Sequence, residues 1–428
     1  MIPSAPTWSV ASWALLDGDM DRLGFFASAM APAEGLYTAP LAMRILVATD
    51  QWSPDVVGGS ARVAVDTARA LGRRGHEVVV LAPSRSELPP VEHDGSVEIR
   101  RVLRRGPFPQ TVADPLSTLR AARALRNRSF DVLLAHQTTG GSGLLAARLG
   151  VPLALVFHAS AVLEMRFVRR SARGLGRAKL QILDPIVSGL ERAATRGSAV
   201  ILVLSDFSAE LVRARHPSVA NRIRVVGGGV DDVFFDSRDA HSCRARLGIP
   251  SGTLLFTARR LEPRMGVDIL LEALPLVGDE QLILAVAGTG STRTTLESHV
   301  RRLGLQDRVR FLGRVSEDDL RMLYAAADLF VLPTVAYEGF GMSTVEALAA
   351  GTPVLGTGVG ATPEILEGLG PEFVVSRAEP QALADGVRQV LPLLGPDLRA
   401  RTRRLAEERF RWGKVIARWE EALLAIAR

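Results

Sequence analysis

Residues 328–353 constrain the fold of this chain more than any other stretch of the sequence. The run 328–333 is mostly apolar, as in a buried parallel strand, and residues 345–350 favour a helix. A turn that contains two glycines, Gly339 and Gly341, lies between them. In parallel α/β proteins, a glycine turn from the carboxyl end of a strand into a helix is typical of phosphate sites. The stretch therefore predicts an α/β fold with an anion site at this turn.

The predicted anion site combines backbone donors with two carboxylates. The N–H groups of Gly341, Met342 and Ser343 stand at the predicted start of the helix, where they are available to an anion. Glu338 precedes this start, and Glu346 lies inside the helix. The alternative interpretation is an ordinary strand–turn–helix, with a solvated Glu338 and with Glu346 interacting only with the helix dipole.

The same order of elements recurs along the chain. Apolar runs of strand length are followed by turns and by apolar residues at helical spacing, and the pattern restarts in the second half. A chain of 428 residues is too long for one typical core, so we predict two α/β domains. The predicted segments are an N-terminal extension (1–42), a first domain (43–235), a second domain (236–411) that begins with an interdomain linker (236–250), and a C-terminal helix (412–428).

Charge and cysteine content narrow the function classes. The formal net charge of +6 suits anionic ligands. Aromatic residues are only 5% and no nucleic-acid-binding motif occurs, so we predict no nucleic-acid partner. The single cysteine, Cys243, excludes an intrachain disulfide and a cysteine-based zinc site, and it fits a reducing cytoplasmic environment. No group of His, Asp, Glu and Cys has metal-ligand spacing, so we predict no bound metal.

Glu338 and Glu346 stand in an E-G-F-G-x-x-x-x-E frame, preceded by Pro333 and followed by Gly-Thr-Pro-Val at 351–354. This frame resembles the EX7E motif of the retaining, nucleotide-sugar-dependent glycosyltransferases of family GT4, and the similarity extends from about Met43 to the C-terminus. The resemblance implies the GT-B fold, in which two Rossmann-like domains with parallel sheets face a central cleft. It also implies that the C-terminal helix crosses back onto the first domain.

The resemblance assigns roles to several residues. It implies a nucleotide-diphosphate sugar as donor, a hydroxyl group of an unidentified molecule as acceptor, and no metal or other cofactor. Glu338 would lie near the transferred sugar, Glu346 would accept hydrogen bonds from the ribose, and Phe340 would belong to the donor site with the turn amides. His158, at the tip of an apolar strand, would lie beside the sugar. Gly59, in a glycine pair before a helix, would lie against the diphosphate or the acceptor.

The family places an arginine and a lysine against the diphosphate in an R-L-x-x-x-K-G frame. Here the frame reads Arg-Leu-Glu-Pro-Arg-Met-Gly from Arg260 onward, so Arg260 is present and Met265 stands in the lysine position. Arg264, one residue earlier, is the expected substitute for the missing cation. The base is expected to meet backbone groups of three neighbouring residues, Gly313, Arg314 and Val315. Main-chain contacts leave uridine, guanosine and adenosine donors open.

Residues 164–180 are rich in arginine, and two interpretations stay open. They form a solvated charged face, or a surface that contacts an anionic acceptor or the inner face of a membrane. Two other functions also stay open: a non-catalytic GT-B protein that binds nucleotide sugars, and a GT-B epimerase or phosphorylase. Turnover of a nucleotide sugar excludes the first of these, and a phosphorolysis assay tests the second.

Overall fold

The computed structural model describes residues 42–52, 58–83, 88–102, 110–171 and 174–428. Within these ranges, two sheets of mainly parallel strands alternate with helices, which confirms the predicted α/β class with two Rossmann-like domains. The predicted N-terminal extension lies outside the described residues except for Ala42. No helix in the described ranges is both long enough and apolar enough to span a lipid bilayer.

The first domain alternates strands and helices. Its described strands are β1 (Arg44–Ala48), β2 (Glu77–Pro83), β3 (Val91–Asp94), β4 (Val97–Val102), β5 (Val132–Ala135), β6 (Leu153–Val156), β7 (Val200–Val203) and β8 (Ile223–Val225). Its described helices are α1 (Gly59–Arg73), α2 (Gln110–Ala124), α3 (Thr138–Ala147), α4 (Ala161–Ser171), α5 (Gly174–Gly197) and α6 (Asp206–Arg215). The sheet order is β3-β4-β2-β1-β5-β6-β7-β8, and among these strands only β3 runs antiparallel to its neighbour.

The second domain repeats this arrangement. Its strands are β9 (Leu254–Ala258), β10 (Ile283–Ala287), β11 (Val309–Gly313), β12 (Leu329–Leu332), β13 (Val354–Thr357) and β14 (Val374–Val375). Its helices are α7 (Ala240–Leu247), α8 (Val267–Leu276), α9 (Arg293–Arg302), α10 (Glu317–Ala326), α11 (Met342–Ala349), α12 (Thr362–Leu366), α13 (Pro380–Val390) and α14 (Pro396–Arg409). The sheet order is β11-β10-β9-β12-β13-β14, and all pairs are parallel. A last helix, α15 (Trp412–Leu424), follows.

The central strands position the histidines of the first domain. β5, β6 and β7 consist of Val, Leu, Ile and Ala, and every residue in them is buried, as expected for parallel strands between helical layers. β1 pairs in parallel with β5, and β5 pairs in parallel with β6. The carboxyl ends of these strands therefore meet at one edge of the sheet. His136 follows β5 and His158 follows β6, so both histidines lie at that edge.

Residues 236–250, predicted as an interdomain linker, contain a helix that packs on the second domain. The Asp239 carboxylate accepts a hydrogen bond from the Ser242 N–H at 2.7 Å and caps α7, and Gly248 ends the helix in a left-handed conformation. Arg244 then donates to the carbonyl of Ala326, at the end of α10, at 2.9 Å. An aspartate cap and a terminal glycine are both visible in the sequence, so this helix was predictable.

α15 returns from the second domain to the first. The Trp419 indole N–H donates to the carbonyl of Gly227 at 3.0 Å. Glu420 forms an ion pair with Arg74 at 2.6 Å, and its Oε1 is hydrogen-bonded to His76 Nε2 at 2.8 Å. The last helix therefore ties the end of the described chain to the first domain.

The turn before α11 also contacts the first domain. The hydroxyls of Ser205 and Ser208, at the start of α6, donate to the carbonyl of Gly339 at 2.6 and 3.0 Å. In the other direction, the Glu364 carboxylate accepts hydrogen bonds from the backbone N–H of Asp206 at 3.0 and 3.1 Å. The two domains therefore meet around the cleft in this structure.

Candidate functional site

Two helices start at the interdomain cleft, one from each domain. α1 begins at Gly59 and α11 at Met342, and no side chain of the described residues caps either helix. A β-carbon added to Gly59 would lie 3.0 Å from Met342 Cγ, so the two helix starts are in contact. The first turns of the two helices, whose N–H groups lack intrahelical acceptors, therefore lie next to each other with the positive ends of their dipoles. Such a place favours a group with negative charge.

Glu338 lies just before α11, beside a buried cation. Its Oε2 accepts hydrogen bonds from Arg259 Nη2 at 2.7 Å and from Thr334 Oγ1 at 3.1 Å. The Arg259 side chain is only 4% exposed, and the Glu338 side chain is 15% exposed. Burial lowers the pKa of Arg259, and the Glu338 carboxylate opposes this effect. Because arginine stays charged in proteins, Arg259 brings a fixed positive charge to Glu338.

Arg264 and Arg260 reach the same carboxylate of the first domain. Arg264 Nη2 lies 2.6 Å, and Arg260 Nη2 3.6 Å, from Oε1 of Glu164 on α4. Arg264 also donates from Nη1 to the carbonyl of Tyr337 at 2.9 Å, next to Glu338 in the chain. The Arg264 side chain is 14% exposed and that of Arg260 is 52% exposed. Arg264 is therefore the more enclosed of these two cations.

The cation nearest to Glu338 is Arg259, which the sequence did not single out. Met265, in the position of the expected lysine, is buried with its Sδ 3.2 Å from Arg259 Nη2. Arg259 and Arg264 are separated by the same number of positions as the arginine and lysine of the family frame, R-L-x-x-x-K. Alignment on the two cations, rather than on the arginine–leucine pair that begins at Arg260, would have identified Arg259.

Glu346 is buried in α11 and contacts both domains. Its Oε2 accepts a hydrogen bond from the Tyr324 hydroxyl of α10 at 2.9 Å. Its Oε1 lies 3.3 Å from Arg62 Nε of α1. Burial raises the pKa of Glu346, and Arg62 and Tyr324 oppose this effect. Arg62 was not predicted as a site residue, and the only signal for it in the sequence is its position about one helical turn after Gly59.

His158 and His136 form a hydrogen-bonded pair at the sheet edge. His136 Nδ1 and His158 Nε2 are 3.2 Å apart, and the rings stack with their centroids 5.5 Å apart. Burial lowers the pKa of His158 to about 4. Burial, together with His158, lowers the pKa of His136 well below its usual value. Both imidazoles are therefore neutral near neutral pH, and His158 offers a hydrogen-bonding group without a charge.

Phe340 is buried between the domains. Its ring meets that of Phe410 edge to face, with centroids 6.0 Å apart. It also lies over Gly228 of the first domain, where an added β-carbon would stand 2.4 Å from Phe340 Cε1. The Phe340 side chain thus belongs to the interdomain packing, and only its backbone adjoins the turn that contains Glu338.

The remaining predicted residues lie at two places on the second domain. Ser343 is partly buried in the first turn of α11. Gly313 ends β11 with a positive φ of 68°, and its carbonyl accepts a hydrogen bond from the Gly288 N–H at 2.7 Å. Arg314 is exposed and Val315 is partly buried after it. Within the described ranges, no three His, Cys, Asp or Glu side chains are grouped as metal ligands.

Two family models match the chain in succession. The model described as Glycosyltransferase Family 4 matches residues 57–234. The model described as Glycosyl transferases group 1 matches residues 243–409. The first match covers most of the first domain, and the second covers most of the second domain.

Curated relatives agree with these models. D-inositol 3-phosphate glycosyltransferase of Mycolicibacterium gilvum is 31% identical over 352 residues, which cover 78% of this chain and 77% of that protein. The protein of the same name from Mycolicibacterium smegmatis is 31% identical over 390 residues, which cover 86% of this chain and 85% of that protein. Both similarities span the two domains.

Solved structures share the fold. Sucrose-phosphate synthase from Thermosynechococcus elongatus matches with a TM-score of 0.76 at 21% identity, over 90% of this chain and 98% of that chain. Anabaena HepE in complex with UDP-glucose matches with a TM-score of 0.69 at 20% identity, over 90% of this chain and 100% of that chain. These likenesses support the predicted GT-B fold. By its family models and relatives, the chain belongs to the GT4-type glycosyltransferases, and it is an enzyme of the sugar-transferring class.

Proposed function

We propose that the chain transfers a sugar from a nucleotide-diphosphate sugar to a hydroxyl group, with retention of configuration at the anomeric carbon. The observation that carries the proposal is the contact between the helix starts at Gly59 and Met342. A diphosphate at this contact would receive backbone N–H donors from both domains. Glu338 and Glu346 adjoin the same helix start, as in the EX7E frame.

Cations near the diphosphate support the departure of the leaving group. Negative charge grows on the diphosphate as the sugar leaves, so preorganised cations and N–H donors there lower the barrier. We assign this role to Arg259, which is buried at Glu338, and to Arg264, which is held at the Tyr337 carbonyl. Arg260 is more exposed than Arg264, and its guanidinium lies 3.6 Å from the Glu164 carboxylate. With two arginines and two helix starts, the proposal requires no metal ion.

The sugar end of the donor is assigned to Glu338 and His158. The Glu338 carboxylate orients sugar hydroxyls and stabilises the positive charge that develops at the anomeric carbon. His158, which is neutral, contributes one hydrogen bond to the sugar. The oxygen of the departing phosphate takes the proton of the acceptor hydroxyl, so the acceptor attacks from the face that the leaving group vacates. Configuration is then retained.

Release of nucleoside diphosphate from UDP, GDP and ADP sugars tests the proposal, with water as the acceptor when no other is supplied. We expect Glu338→Gln to lower kcat by about 100-fold or more, as is typical when a group that stabilises transition-state charge is lost. Binding of the free nucleoside diphosphate should persist, because Glu338 acts at the sugar. Glu280→Gln, at an exposed carboxylate of the second domain, is the matched control and should keep full activity.

Two other outcomes would replace this proposal. Donor binding without turnover by the unmodified chain would favour a non-catalytic nucleotide-sugar-binding protein. Cleavage that depends on inorganic phosphate would favour a phosphorylase. An unchanged kcat in Glu338→Gln would remove the assigned role of that carboxylate.

The acceptor is proposed to bind in a cleft of the first domain, at the carboxyl ends of β1, β2, β4 and β5. The cleft is open to solvent. Much of its described lining is polar, with hydroxyl, amide and carboxyl groups from Thr49, Asp50, Ser117, Gln137 and Thr139. Gln137 follows His136 in the chain, and His136 is hydrogen-bonded to His158, so the cleft adjoins the proposed sugar position. Such a lining suits a polyhydroxylated acceptor.

The arginine-rich segment 164–180 includes the start of α5, and contact with an anionic membrane is proposed for the outer face of this helix. Ile182 is 70% exposed and Ile186 43% exposed on this face. Arg192 and Arg196 are exposed on the same helix, while its Asp184 is paired with arginines of α4. Apolar and cationic groups on one face favour an anionic lipid surface. Ile182→Ser should reduce co-sedimentation with phosphatidylglycerol vesicles, and equal co-sedimentation with phosphatidylcholine vesicles would contradict the proposal.

A further inference from the structure

The Arg62 side chain extends from the first domain to Glu346, the residue of the second domain that is assigned to the nucleotide ribose. It lies on α1, shortly after Gly59, and its Nε is 3.3 Å from Glu346 Oε1. Its Nη1 donates to Glu317 Oε1, at the start of α10, at 3.2 Å. Its guanidinium also lies over the Phe234 ring, 5.4 Å from the centroid. These contacts fix the guanidinium in one place, with 19% of the Arg62 side chain exposed.

The Glu346 carboxylate is held from two sides. Tyr324 donates to Oε2 from the same domain, and Arg62 approaches Oε1 from the other domain. A carboxylate has about four lone-pair positions, so two such contacts leave room for two further hydrogen bonds. The two hydroxyls of a ribose would use those positions.

Several charged groups decide whether Glu346 is ionised. Burial favours the neutral acid, and Glu317 raises the pKa of Glu346 further, whereas Arg62 and Tyr324 lower it. Asp66 lies on α1 with Arg62, and burial raises its pKa to about 7, so it adds negative charge on that side only as the pH rises past neutral. Burial opposes the charge of Arg62 itself, but the surrounding carboxylates outweigh this and raise its pKa. Arg62 is thus the one described cation among the groups that shift the pKa of Glu346.

We infer that Arg62 is a positioning residue for the nucleotide ribose: it holds the Glu346 carboxylate in place from the first domain, so the ribose site is complete only when the domains are closed. The inference rests on the proposed function, in which Glu346 accepts hydrogen bonds from the ribose. It assigns part of the nucleotide site to the first domain. Protonation of Glu346 would remove acceptor capacity, and loss of Arg62 would promote that protonation.

The test measures kcat and the donor KM of the full chain at several pH values. For Arg62→Gln we expect the donor KM to rise about tenfold or more near pH 6, as for the loss of a charged hydrogen bond. This rise should shrink as the pH increases, because Glu346 then ionises without help. The kcat should stay within about threefold of the unmodified value, since the sugar end is untouched. Arg62→Lys keeps the charge and should restore the KM at low pH.

Arg69→Gln is the matched control on the same helix. Arg69 pairs with Asp94 at 2.7 Å within the first domain, so its loss should leave the donor KM unchanged at every pH. A donor KM in Arg62→Gln that equals the unmodified value, or falls below it, would overturn the inference. A lower KM would show that Arg62 competes with the ribose. Absence of turnover by the unmodified chain with every donor would instead overturn the proposed function.

Discussion

Gly339 of the second domain lies directly against the backbone carbonyl of His158 of the first domain. A β-carbon on Gly339 would stand 2.6 Å from that oxygen, closer than such atoms approach in real structures. The Tyr337 hydroxyl lies 3.5 Å from the same carbonyl. Gly339 precedes the start of α11, and His158 follows β6. Their contact therefore limits how closely the second-domain and first-domain parts of the proposed site can approach each other.

Gly339→Ala should hold the domains apart. We expect kcat/KM for the donor to fall by about 100-fold, because a misplacement of about 1 Å is enough for such a loss. Gly189→Ala on α5, where an added β-carbon meets nothing within 4 Å, is the matched control and should keep activity. Steady-state kinetics and a thermal melt of each variant check this. A fully active Gly339→Ala would show that the contact does not set the closure.

Arg259 and Arg260 should differ sharply in their effect on catalysis. Arg259→Ala removes a buried charge that contacts Glu338, and we expect kcat to fall by about 100-fold or more. Arg260→Ala removes an exposed ion pair and should change kcat/KM by less than about fivefold. Nucleoside diphosphate release measures both, and circular dichroism confirms folding. A larger loss in Arg260→Ala would return the catalytic role to Arg260.

His158 should stay neutral across the working pH range. Its burial lowers its pKa to about 4, so it becomes charged only in acid. We therefore expect no ionisation of His158 in the pH profile of kcat/KM between about pH 5.5 and 8. His158→Asn should lower kcat/KM at every pH in this range without changing the shape of the pH profile. A change in kcat/KM with a pKa near 6.5 that occurs in the unmodified chain and is absent in His158→Asn would contradict a neutral His158.

Asp66 should make the folded chain less stable as the pH rises. Burial raises its pKa to about 7, from an ordinary value of 3.8, while Arg62 opposes and Asp231 adds to the shift. Between pH 3.8 and about pH 7, Asp66 holds a proton in the folded state that it has lost in the unfolded state. The free energy of unfolding therefore decreases as the pH rises through this range. The loss contributed by Asp66 is at most about 4 kcal/mol and is complete above the folded pKa.

Asp66→Asn removes this titration. Relative to the unmodified chain, the variant should gain stability near pH 8 by up to a few kcal/mol and little near pH 4. Urea denaturation at the two pH values provides the measurement. An equal difference in unfolding free energy at both pH values would contradict the shifted titration of Asp66.

The local pattern of the sequence was sufficient for the fold and for the turn at Glu338. Each strand, glycine turn and helix spans a few neighbouring residues, so its signals stand next to each other in the chain. The apolar runs of β5 and β6 therefore placed His136 and His158 at strand ends, and the structure has them there. The family frame also located both carboxylates of the motif.

The contacts made by side chains across the cleft were not predictable in the same way. Arg62 and Glu346 are far apart in the chain, and nothing in either neighbourhood points to the other. Between Arg259 and Arg260, a shift of one residue decides which guanidinium is buried, and the family frame fits either alignment, on the arginine–leucine pair or on the two cations. Phe340 belongs to the correct turn, but tertiary packing directs its ring to Gly228.

The position of the pyrophosphate in a crystal structure with a bound nucleoside diphosphate tests the central claim most directly. We predict that a phosphate oxygen lies about 3 Å from the backbone nitrogen of Met342 or Ser343, with Gly59 on its other side. Arg259 or Arg264 should lie within ion-pair distance of the same group. A pyrophosphate bound away from the contact between Gly59 and Met342, for example in the cleft of the first domain, would contradict the account.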